Sequence, residues 1–186
     1  MATFRDIVAA YIRDYRAAAA QEQRWFAIQP TLEGAVSKAA LAEAPSGKRL
    51  SHQRRIPGAV LMEARKALLN NLSRLRAATS FEDLHDEVES IVGGIHGIGE
   101  LYIYDTALRI AAKLGLRPKH VYVHAGVREG AKHCGFDPSR RRIALHEFPS
   151  SLRDLDATEI EDILCIYKSQ LAGAALAERS TKQCFA

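Results

Sequence analysis

The chain is poor in residues that staple or anchor a fold from outside its core. It has three cysteines in 186 residues, Cys134, Cys165 and Cys184, with no Cys-x-x-Cys pair. This odd, wide spacing argues against a disulfide framework and against a zinc ribbon, so reduced thiols are expected, with Cys165 buried. Long apolar runs are missing too. Stretches such as Ala17 to Ala20 fall far short of the roughly 20 residues a bilayer crossing needs, so no membrane partner is expected. Arg5, Arg13, Asp14 and Arg16 interrupt the first apolar residues, leaving no hydrophobic segment for an export signal; a cytoplasmic chain is expected. No internal repeat or low-complexity segment is visible. His96, His120, His124, His133 and His146 fall at no standard ligand spacing, so no metal centre is expected.

What is present is ordinary globular material. Apolar residues make up 47% and charged residues 26%, enough for one good core, and the reading is one domain over 1–186. The net charge of +4 permits an anionic partner without demanding one.

Helical periodicity dominates. Thr3 and Asp6 form a capping box, and Phe4, Val8, Tyr11 and Tyr15 then recur at helical spacing, predicting a helix to about Gln21. Trp25-Phe26 reads as an apolar anchor between helices. Pro30-Thr31 opens a weaker helix to about Glu43. Pro57 starts another, in which Leu61, Ala64, Leu68, Leu72 and Leu75 form an apolar stripe expected at the centre of the core. Thr79 to Glu82 caps the next, with Phe81, Leu84, Val88, Ile91 and Val92 as its buried face; its Asp86-Glu87 pair reads as solvated. Leu101, Tyr104, Leu108, Ala111 and Leu114 follow, stopped by Gly115. Asp156 caps a last helix to about Ala177, and 180–186 reads as a frayed tail. Short strands fit near 120–124 and 143–147. The expected fold is mainly α: a single-domain helical bundle with one or two short strands.

Two stretches carry candidate chemistry. The first is the loop 45–57, with Lys48, Arg49, Arg54 and Arg55 between turn residues. Flexible cations there suit phosphate contact; the alternative is a solvated linker. The second is the glycine-rich turn from Gly93 to Gly99. Glycines allow a tight turn and leave the amides of the following helix N-terminus uncovered, which makes an anion site. Ile98, between Gly97 and Gly99, would point inward and pin the turn to the core.

Ile95-His96-Gly97-Ile98-Gly99 resembles the hairpin of the helix-hairpin-helix DNA-binding motif, usually Leu-Pro-Gly-Ile/Val-Gly. His96 stands where proline is common. Ile103 stands where a small residue lets the two helices approach. The resemblance implies phosphate binding at Gly97, Ile98 and Gly99, with a monovalent cation as the one candidate cofactor. Tyr104-Asp105-Thr106-Ala107-Leu108-Arg109 is similar to the Val-Asp-Thr-x-x-Arg segment of the helix-hairpin-helix base-excision DNA glycosylases. That resemblance implies a catalytic carboxylate at Asp105. Asp105, however, follows Gly99 by six residues, where the family has about 20, and the lysine nucleophile of its bifunctional members has no counterpart.

Three expectations follow. The first is a nucleic-acid-binding protein, most simply for DNA, held by Gly97, Ile98 and Gly99 and by Lys48, Arg49, Arg54, Arg55, Lys113, Lys119, Arg140, Arg141 and Arg142. The second is a glycosylase-like enzyme with Asp105 assisted by Tyr104 or His124; the other reading of Asp105 is an i, i+4 ion pair with Arg109. The third is an interaction module or homo-oligomer in which the glycines only permit close helix packing.

Overall fold

The structure is a computed structural model that describes the backbone of residues 2–183 and the side chains of residues 2–175. Helices dominate, with a single two-stranded sheet among the described residues, which bears out the expected mainly α class. The residues gather into two compact units: Met1–Ala17 with Lys119–Ala186 (unit 1), and Ala18–Pro118 (unit 2).

In unit 1 the Thr3–Asp6 box caps α1 (Phe4–Asp14) reciprocally. The first helix stops at Tyr15 instead of running to Gln21, and α2 (Arg16–Ala27) starts anew, most of it in unit 2. Strands β1 (His120–Tyr122) and β2 (Arg142–Ala144) pair antiparallel, with Val121 opposite Ile143. Between them lies α8 (Ala125–His133). Asp156 caps α9 (Ala157–Ile166), and the expected single last helix breaks at Tyr167 before α10 (Lys168–Gln183). The tail expected to fray from Ser180 is helical through Gln183; residues 184–186, including Cys184, lie outside the described residues. Phe4, Ile7, Tyr11, Val121, Val127, Ile143, Phe148, Ile160, Leu164 and Leu171 form the core.

In unit 2, α3 (Leu32–Ala40) is capped by Thr31, and α4 (Gly58–Asn70) follows Pro57. The expected long leucine helix is interrupted: Asn71 turns its side-chain amide back onto the Ala67 carbonyl at 2.9 Å, and α5 (Leu72–Ala77) begins after it. Ser80 caps α6 (Phe81–Val92), and α7 (Glu100–Leu114) ends at Gly115 with φ +72°, the left-handed cap its position suggests. The expected leucine stripe is buried at Leu61, Ala64, Leu68 and Leu75, and α3 and α6, which both pack on α4, also pack on α7. The buried face of α7 is therefore wider than the stripe read from sequence: Tyr102, Ile103, Thr106, Ala107, Arg109 and Ile110 are buried along with Tyr104 and Ala111. The Tyr102 hydroxyl donates to the Ala40 carbonyl at 2.7 Å, tying α7 to the end of α3, and burial pushes this phenol up to about 12.

A glycine turn, a basic loop and two buried polar networks

The turn between α6 and α7 is built from its glycines. Gly97 has φ +92°, a conformation that L side chains rarely adopt, and the Ile98 amide closes the turn onto the Ile95 carbonyl at 3.0 Å. Gly99 is the N-cap of α7, with no side-chain cap. Among the described residues the amides of Gly97 and Gly99 donate to no partner. Gly93, Gly94, His96, Gly97 and Gly99 are exposed, while Ile98 is half-buried. Glu100, in the first turn of α7, is exposed and already sets a negative charge against the helix dipole there.

The basic stretch is held at both ends. The Ala44 amide donates to the Lys48 carbonyl and the Leu50 amide to the Ala42 carbonyl, each at 2.7 Å, and Glu43 and Arg49 form an isolated bridge. A 3-10 turn spans Ser51–Gln53. Arg49 Nη1 donates to the Ile56 carbonyl at 2.6 Å, so this cation staples the loop. Lys48, His52, Arg54 and Arg55 remain exposed. The loop reaches the glycine turn through the start of α4. A Cβ on Gly58 would lie 3.6 Å from Arg49 Nη2, and one on Gly97 would lie 3.8 Å from both methyls of Val60. The turn therefore adjoins the start of α4, and the start of α4 adjoins Arg49 of the basic loop.

Behind them is a buried polar network. Gln53, 1% exposed, donates its side-chain amide to Asp105 Oδ2 and accepts from Arg109 Nη2 at 3.3 Å. Those two partners set the amide's orientation, because a carboxylate only accepts and a guanidinium only donates. Arg109 also reaches Asp105 Oδ2 at 3.2 Å and Glu22 at 3.3 Å, and lies over the Phe26 ring at 5.8 Å. Its Nη1 is buried with no partner. The bonds to Asp105 converge on Oδ2 and neither uses Oδ1; the side chain is 13% exposed. Tyr104 is buried, packed edge-on against Phe81 of α6 with centroids 6.0 Å apart.

The remaining candidates are placed less uniformly. Lys113 turns inward and donates to the carbonyls of Gln29 at 2.5 Å and Ala27 at 3.4 Å, closing the C-terminal end of α2. Lys119 is exposed and belongs to unit 1, as do Arg140, Arg141 and Arg142. Arg140 makes two 2.7 Å bonds to Glu147 and lies over Phe136, and this pairing pulls the Glu147 carboxyl down to about 2. Arg142 lies over the Tyr122 ring at 5.0 Å. Arg141 is exposed, and its carbonyl accepts from the Val123 amide.

His124 belongs to unit 1, whereas Asp105 and Tyr104 belong to unit 2. It is the N-cap of α8: Nδ1 accepts from the Gly126 amide at 3.3 Å, and Nε2 lies 2.7 Å from Glu161 Oε1. The first bond needs a bare Nδ1, so Nε2 carries the proton and donates to the carboxylate. The sequence reading missed Glu161 and Gln53. Glu161 left a trace, as an acid within the apolar pattern of Ile160 and Leu164; Gln53 left none, because its loop has no periodicity. The reading took Asp86 as solvated and passed over His85 and Glu89; the ligand atoms of these three lie within 4.8 Å of one another on α6. One nitrogen and two oxygens there suit a divalent cation. No family model, curated protein or solved structure matches the chain.

Proposed function

We propose that unit 2 binds the sugar–phosphate backbone of nucleic acid, most simply DNA, through the glycine turn and the basic loop. The observation that supports this reading is the pair of amides at Gly97 and Gly99 that donate to no partner among the described residues, in the same unit as a loop that exposes Lys48, Arg54 and Arg55. Amides at a helix N-terminus favour a phosphate oxygen, and cations around it add sequence-independent attraction. The likeness of residues 95–99 to the helix-hairpin-helix turn supports the same assignment, and a monovalent cation bridging turn and phosphate would fit it. Lys113, Arg140 and Arg142 drop out of the contact set, since each is engaged within its own unit.

The test is a salt series of binding isotherms with single- and double-stranded DNA and RNA. Affinity should fall linearly in log–log form with salt, and Gly99→Asp, which sets a carboxylate at the amides, should weaken binding by about tenfold or more. Binding that ignores both salt and Gly99→Asp would sink the proposal.

A second reading, cleavage of a glycosidic bond, draws on one observation: Asp105 is fixed through Oδ2 while Oδ1 takes neither of those bonds. A carboxylate fixed in this way could stabilise a cationic sugar. Neither proposed helper supports it, since Tyr104 is buried against Phe81 and His124 is bonded to Glu161 in unit 1. Full activity of Asp105→Asn on any cleaved substrate would rule this mechanism out.

A further inference from the structure

We infer that Asp105 and Gln53 act together as a latch that presents the basic loop to nucleic acid, which makes Asp105 a positioning residue. This rests on the nucleic-acid reading above. The loop is unusual in being exposed at Lys48, Ser51, His52, Arg54 and Arg55 yet deeply buried at one polar residue, Gln53. That side chain is gripped from two sides by one helix: Asp105 accepts from it and Arg109 donates to it. Asp105 and Arg109 are one turn apart on α7, and their own contact at 3.2 Å closes a three-membered ring of polar groups. The same α7 begins at Gly99, so one rigid helix carries the turn at its N-terminus and the loop's anchor along its side.

The anchor has a consequence for binding. Arg54 and Arg55 directly follow Gln53, so fixing Gln53 limits where their guanidinium groups can travel. A loop ordered before binding gives up less freedom on the complex, and the saving appears as affinity. It changes no count of phosphates contacted. Anchor and contact residues are thereby separable: losing the anchor lowers affinity at unchanged salt slope, whereas losing a contact lowers the slope itself.

The experiment uses the full chain, Gln53→Met, Asp105→Leu, which removes the acceptor at similar volume, and the double variant Arg54→Ala/Arg55→Ala. Methionine keeps the volume of Gln53 without its polar bonds. Hydrogen exchange on the free proteins reads the amides of Gln53, Arg54 and Ile56, which donate to Leu50, Ser51 and Gln53 carbonyls in the wild type. Both latch variants should exchange there about tenfold faster or more, with α7 amides unchanged. With a random-sequence duplex oligonucleotide as probe, both should bind about five- to twentyfold more weakly with the wild-type salt slope. The double arginine variant should instead reduce the slope by about 2. Unchanged exchange at these amides overturns the latch, as does faster exchange with wild-type affinity. A latch variant that lowers the slope would make Gln53 or Asp105 a contact and also overturn it. Absence of salt-dependent binding by the wild type overturns the nucleic-acid reading and the inference together, whatever the exchange data show.

Discussion

Gly130 of α8 lies against the backbone of Leu164 in α9 so closely that a Cβ on it would stand 2.2 Å from the Leu164 carbonyl oxygen. Nothing at that distance can yield except the helix itself. Gly130→Ala is therefore expected to destabilise the protein by about 2–3 kcal/mol, despite the better helix propensity of alanine. Urea denaturation measures this directly. Gly94→Ala is the control, because a Cβ there meets nothing within 4 Å, and it should shift the midpoint little.

His124 ties two things together, the amide end of α8 and Glu161 of α9. His124→Ala removes both and takes one donor from a buried carboxylate, at an expected cost of about 2–3 kcal/mol. His124→Asn restores a good N-cap but not the bond to Glu161, so it should recover roughly 1 kcal/mol of that loss. Equal stability of the two variants would mean that the cap contributes nothing.

Two tyrosines set an alkaline limit. Burial raises Tyr11, whose hydroxyl donates to Asp162 at 2.7 Å, and burial raises Tyr102 to about 12. In the unfolded chain both ionise near pH 10. The folded state holds these protons more tightly, so their contribution is fully present below about pH 10 and is lost as pH rises above it. Tyrosinate absorbance should therefore lag for these two groups until unfolding. Tyr102→Phe should flatten the fall in stability between about pH 10 and 12.

Glu100 is the one acid in the first turn of α7, beside the amides assigned to phosphate. Glu100→Gln should strengthen nucleic-acid binding by about two- to fivefold, because it removes a competing charge from the helix N-terminus. A weaker complex would place the phosphate elsewhere.

Lys113 provides the opposite case. Its ammonium is committed to the Gln29 and Ala27 carbonyls, so Lys113→Met should cost about 1 kcal/mol of stability and leave the salt slope of binding unchanged. A lower slope would return Lys113 to the phosphate contacts.

Features governed by local chemistry were legible in the residues. Thr3 and Asp156 cap helices where their spacing indicated, the cap expected from Thr79 to Glu82 falls one residue on at Ser80 with Asp83, and Gly115 stops α7 in a left-handed turn. Features that depend on distant partners were not legible. The leucine stripe is buried as read, but the wide buried face of α7, which α3 and α6 both cover, did not show in its apolar spacing. The breaks at Tyr15, Asn71 and Tyr167 interrupt apolar patterns that continue across them. Charge runs hide pairing of the same kind. The three arginines from Arg140 look alike in sequence, but Glu147 and the rings of Phe136 and Tyr122 take up Arg140 and Arg142. The candidate site was half visible: its glycines and cations stood out, while Gln53, which joins them to Asp105, carries no pattern of its own.

Unit 2 is one continuous stretch, Ala18–Pro118, whereas unit 1 is assembled from both sides of it. On a ribosome, α1 emerges first and has none of its core partners, since Val121, Ile143, Ile160 and Leu171 are all made later. Unit 2 can close as soon as Pro118 is out, because domains made of contiguous chain fold as units during synthesis. Phe4, Ile7 and Tyr11 must meanwhile stay exposed, and their docking closes a loop of the whole intervening chain, the slowest kind of contact to form. The amphipathic first helix is thus the segment most in need of shielding during biosynthesis, and damage to the α9 core should appear as aggregation through α1 before any change in unit 2.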